Sequence, residues 1–149
     1  MTATYSTRRL SAMLLPAALF LGACVAPRPM TTPQDCPRQC RIDISLPANK
    51  GEAPSIPASQ MTTRGRKGMH VTFQVPGVGN RPRVLLVFAE PALEGSGNKA
   101  LWTVKLTPGA NVLRLLDTNK CTAPGCKYTI VYLDDQTSPP LDPWMIIDP

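Results

Sequence analysis

His70 is the only imidazole in this chain of 149 residues, and that limits the chemistry the sequence can assemble. Nucleophilic catalysis needs a serine or cysteine beside a base and an orienting group. Gly95-Ser96-Gly97 lacks the Gly-x-Ser-x-Gly spacing of a nucleophile elbow, so Ser96 is expected in a hairpin turn. Asp134 and Asp135 are adjacent at the end of an apolar run, where successive side chains point to opposite faces. Such carboxylates diverge, whereas a general acid/base pair must converge. Met61, Met69, His70 and Met145 are soft and borderline ligands that could hold copper(I) if the fold gathered them. Met69, however, continues the alternation of Val71 and Phe73 while His70 falls on the other face. A core methionine beside an exposed histidine is the expected arrangement. The chain therefore reads as a non-enzyme without a cofactor, with metal handling by Met and His as the alternative.

The N-terminus carries an address. Arg8 and Arg9 precede an apolar segment from Leu10 to Leu21, broken only by Ser11 and Pro16. About a dozen apolar residues is too short for a membrane span and suits a secretory signal. Leu21-Gly22-Ala23-Cys24 then resembles the lipobox of bacterial lipoproteins. The resemblance implies cleavage before Cys24, a diacylglycerol on its thiol and acylation of the new amine, which supplies the several chains that stable anchoring requires. In that family Asp after the cysteine favours inner-membrane retention; Val25 implies the outer membrane, with the domain on its periplasmic face. Ser11 falls where a twin-arginine signal carries a bulky apolar residue, so general secretion is expected.

With Cys24 assigned to lipid, Cys36, Cys40, Cys121 and Cys126 remain, in two close pairs. An even count in an oxidising compartment predicts two disulfides. Three connectivities are open, and the two local bonds are favoured. Ala123-Pro124-Gly125 is strong turn chemistry, so a bond from Cys121 to Cys126 would pin a hairpin. Zinc sites usually space their cysteine pairs by two residues, and so do thioredoxin-like redox motifs; neither pair here has that spacing.

The elements that must position these groups are read from periodicity. Residues 1–23 form the signal, 24–35 the lipidated Cys24 and a proline-rich tether, and 36–149 a single domain. Ile42, Ile44 and Leu46 alternate with polar residues; so do Met69, Val71, Phe73 and Val75. Between them, 47–68 reads as a long loop. Residues 83–89 form a continuous apolar run, expected to be buried on both faces. Strands are also expected at 100–106, with Trp102 in the core, and at 112–116, 127–133 and near 144–147, where Trp144 would cap one end. About seven short strands and sixteen prolines after residue 23 argue against helices and for two sheets packed face to face.

The pattern Gly125 to Tyr132, then Leu141-Asp142-Pro143 and Ile146-Ile147, resembles the ends of small immunoglobulin- or cupredoxin-like domains of bacterial exported proteins. It implies an all-β, Greek-key β-sandwich and assigns no activity. A cupredoxin copper site takes two histidines, and this chain has one.

Charge narrows the partners. After residue 23 there are 14 basic and 10 acidic residues; 24–116 carries 12 and 5, whereas 117–149 carries 2 and 5. Few aromatics interleave with the cations, and an exported domain meets no nucleic acid, so nucleic-acid binding is excluded. The expected partners are the membrane through the lipid anchor, and another envelope protein or a cell-wall polymer.

Overall fold

The structure is a computed structural model and describes residues 32–36, 38–116 and 118–149. Every long element in it is a strand: β1 (Gln34–Asp35), β2 (Cys40–Asp43), β3 (Thr62–Arg66), β4 (His70–Val75), β5 (Val84–Phe88), β6 (Leu93–Glu94), β7 (Ala100–Leu101), β8 (Thr103–Leu106), β9 (Gly109–Leu115), β10 (Cys126–Tyr132) and β11 (Trp144–Asp148). Two single turns of 3-10 helix, Ala58–Gln60 and Asn119–Cys121, complete the set among the described residues. The strands form a six-stranded sheet in the order β1-β3-β11-β10-β5-β8 and a five-stranded sheet in the order β2-β4-β9-β6-β7. Both sheets are mixed, because β3 runs parallel to β1 and β11, and β2 parallel to β4. The two apolar faces meet as a β-sandwich.

Period-2 alternation explains which residues fill the space between the sheets. On β4, Val71, Phe73 and Val75 are buried, while exposed His70 and half-buried Thr72 and Gln74 lie on the other face. Tyr128 and Ile130 of β10 reach the same interior, joined by Leu86, Leu93, Leu106, Leu115, Met145 and Ile147. Each such aliphatic side chain contributes roughly 1.5–3 kcal/mol by leaving water. Tyr128 stacks on Phe88 with centroids 5.5 Å apart and meets Phe73 edge-on at 6.2 Å. The free edge of β2 is closed by Gln60, whose Oε1 accepts a 2.7 Å hydrogen bond from Asp43 N. That contact removes an unpaired donor from a sheet edge.

The Tyr128 hydroxyl is a cost within this core. It is buried without a hydrogen-bond partner, and desolvation pushes its pKa far above the ordinary tyrosine range. An unsatisfied buried hydroxyl costs about 1–3 kcal/mol, so Tyr128→Phe should raise the unfolding free energy by about 1 kcal/mol in urea titration at neutral pH. The pH dependence has a definite sign. A folded-state pKa above the unfolded value of about 10 leaves stability intact below that pH and lost as the pH rises past it. The phenylalanine variant should therefore lose less stability between neutral and strongly alkaline pH than the parent; an equal or larger loss would remove Tyr128 from the explanation.

Several expectations from the sequence are corrected. Gln34–Asp35, expected in the tether, form strand β1 and pair with β3. The 47–68 segment contains β3, whose alternation is invisible because its inward positions are Thr63 and Gly65. A β-carbon on Gly65 would lie 2.7 Å from Leu115 Cδ1, so any larger side chain there would have to displace Leu115. Leu85 and Val87 are half-buried, since no third layer covers β5 from outside. The 100–106 run is two strands in different sheets: Leu101 pairs with Leu93, and Thr103 pairs with Val87. Trp102 marks the corner and is 56% exposed, not core. The Cys121–Cys126 turn lies on the crossing from β9 to β10, which belong to different sheets, and so is not a hairpin.

Candidate functional site

Cys24 and the lipobox lie outside the described residues. The other four cysteines are bonded locally, Cys36 to Cys40 and Cys121 to Cys126, with Cα separations of 4.9 and 4.8 Å. Both bonds are buried. Each sits where the chain changes sheet: the first between β1 and β2, the second between β9 and β10. The thiols are consumed by these bonds, so they cannot form a four-thiolate metal site.

The methionine and histidine candidates fall at different strand ends and on different faces. Met69 Sδ accepts a 3.2 Å hydrogen bond from Arg66 N, while His70 points to the outside of β4. Met145 is in the core at 1% exposure. Met61 precedes β3 and Met69 follows it, so a five-residue strand of roughly 17 Å separates them. Among the described residues no three His, Cys, Asp or Glu side chains are grouped to hold a metal ion.

Ser96 occupies the β6–β7 turn, where Gly95 N donates to Lys99 O at 2.8 Å. Strand β9 lies between the strand of His70 and that of the Ser96 hairpin. Asp134 and Asp135 diverge, as their adjacency demands. Asp134 takes Arg83 at 2.7 Å and Arg81 at 3.2 Å. Its hydrogen bond holds the Arg83 guanidinium above its ordinary pKa, and Arg83 also donates to the Tyr132 hydroxyl at 2.9 Å and lies 5.7 Å from that ring's centroid. Asp135 accepts from Gly51 N at 2.6 Å and from Thr137 N and Oγ1 at 2.9 and 2.7 Å. These bonds, that from Gly51 first, hold its carboxyl below the ordinary range. Both aspartates tie loops together.

Two surfaces remain for recognition. The outer face of the five-stranded sheet carries the row His70, Arg114 and Glu94, with Arg114 bonded to Glu94 at 3.0 Å. Arg38, Gln39, His70 and Val112 line a shallow open depression of about 380 Å³ on that face, and Val112 is 56% exposed. The second surface is the corner at Trp102, beside the open edge of β8. Neither Val112 nor Trp102 stands out in the sequence. Val112 belongs to an apolar run that conceals its parity, and Trp102 is outside only because the chain switches sheets there. Trp144 is half-buried on β11, opposite Thr62 and Lys127, and its backbone N–H donates to Met61 O.

The fold and these surfaces define a disulfide-bonded β-sandwich with three exposed large apolar side chains among the described residues, Val78, Trp102 and Val112. Scans against protein-family models, curated proteins and solved structures return no match to this chain.

Proposed function

We propose that this protein is a lipid-anchored lipoprotein of the bacterial outer membrane, whose sandwich faces the periplasm as a non-enzymatic structural or binding accessory. The observation that carries the reading is the pairing of cysteines. Four of the five are closed into two buried local disulfides, and Cys24, at the end of the lipobox, is left over. Buried disulfides belong to proteins of oxidising compartments. An odd cysteine there needs a partner or a modification, and thioether linkage to lipid supplies one. The separation of His70 from Ser96 and of Met61 from Met69 supports a binding role over catalysis or copper handling. An accessory of this kind would take another envelope protein or a cell-wall polymer.

Cys24→Ser tests the anchor directly. Labelling with a radioactive fatty acid should be abolished, and the protein should move from the membrane fraction to the soluble periplasmic fraction. Persistence of an acylated, membrane-bound variant would overturn the assignment.

A further inference from the structure

We propose that the edge running from Lys99 to Lys105, with Trp102 at its corner, docks an extended acidic segment of a partner protein, which adds as a strand beside β8 and covers the indole. The proposal rests on the reading of this chain as a binding accessory, but not on the lipid anchor.

The backbone is arranged for such an addition. Strand β8 has β5 on one side and no strand on the other. Phe88 N donates to Trp102 O at 2.9 Å, and Arg83 N donates to Leu106 O at 3.0 Å, so these carbonyls face β5. Hydrogen-bonding direction alternates along an antiparallel ladder, which turns the N–H and C=O groups of Thr103 and Lys105 toward the open edge. Both residues are exposed. These four groups are what an incoming strand engages in β-augmentation. The edge of β2, by contrast, is occupied by Gln60.

The side chains select the occupant. Trp102 offers a large apolar surface with a polar N–H, the kind of anchor on which interface energy concentrates. Lys99 and Lys105 flank it, and neither has a carboxylate within ion-pair distance among the described residues. Arg41, Arg64, Arg81, Arg83, Arg114, Lys120 and Lys127 each have one. Lys99 and Lys105 thus bracket the exposed tryptophan, and carboxylates on the added strand would satisfy them. A second copy is the wrong occupant: antiparallel pairing of β8 with itself would bring Lys105 close to its twin, and like charges across a ladder are unfavourable.

The test uses the full chain carrying Cys24→Ser, secreted in soluble form, with Trp144→Phe so that Trp102 alone reports. The probes are a short peptide of alternating glutamate and valine and its lysine–valine counterpart. The glutamate peptide should change Trp102 fluorescence saturably and slow hydrogen exchange at the Thr103 and Lys105 amides by about tenfold or more at millimolar concentration. Lys99→Glu with Lys105→Glu should weaken binding at least about tenfold, while the thermal midpoint and circular dichroism stay unchanged. Equal binding of the lysine peptide, or no protection at these two amides, would overturn the proposal. Dimerisation through β8 in sedimentation would assign the edge to a second copy and overturn it equally. The Cys24→Ser fractionation result stands or falls separately from all of these.

Discussion

Replacing Cys36, Cys40, Cys121 and Cys126 together by alanine should lower the unfolding free energy by about 4 kcal/mol, a large fraction of the stability of an ordinary domain. The cysteines of the two bonds are separated by 4 and 5 positions in the chain. Loop-closure entropy for rings of that size is worth about 2 kcal/mol each. The location adds to the effect. Each bond clamps a connection that leaves one sheet and enters the other, so its loss frees the two layers at a crossing. Each single-bond variant should show about half the total, because the bonds close separate loops. Urea unfolding of the parent with and without reductant measures the same quantity without mutation. A loss under about 1 kcal/mol from removing both bonds would mean that the packed sheets hold these crossings unaided.

Gly125→Ala should destabilise the domain by about 3 kcal/mol or more, whereas Gly79→Ala should cost only about 1–2. The two glycines share a φ of +101°, a conformation that carries backbone strain for any residue with a β-carbon. They differ in surroundings. A β-carbon on Gly79 would meet nothing within 4 Å; on Gly125 it would lie 2.8 Å from Met145 O and 2.9 Å from Ile146 Cγ1. The Cys121–Cys126 turn is pressed against β11, and backbone atoms of β11 cannot yield as a flexible side chain would. The difference between the variants isolates that contact, since the conformational cost is common to both. Equal losses, measured by denaturant midpoints at an unchanged m-value, would show that the turn can lift off β11 cheaply.

How much of this was legible beforehand depended on the range over which each signal acts. The alternation of Val71, Phe73 and Val75 needs only neighbouring residues, and β4 follows it. The two disulfides were likewise favoured from local spacing and turn chemistry, and the all-β sandwich from strand-length apolar runs and the excess of proline. β3 is hidden in the sequence because a small residue, Gly65, fills an inward position against which Leu115 from the other sheet packs. The 100–106 run looked like one strand because nothing local distinguishes a bend between two sheets from a residue within one. The acidic tail and basic body are adjacent in space as well as distinct in sequence. Asp134 folds onto Arg81 and Arg83, and Asp148 onto Arg64, so two of the tail's acids are paired with cations of the body.

By itself the sequence determined the fold class, a preference among three connectivities for the two local disulfides, and the alternation of β4, because each is set by residues close together in the chain. Tertiary structure alone decided which strands share a sheet, that Trp102 stands outside at an open edge between Lys99 and Lys105, and that the Tyr128 hydroxyl is sealed in the core without a partner. The physical reason is common to all three: each depends on what a distant segment places opposite the residue, and that identity is not encoded in its neighbours.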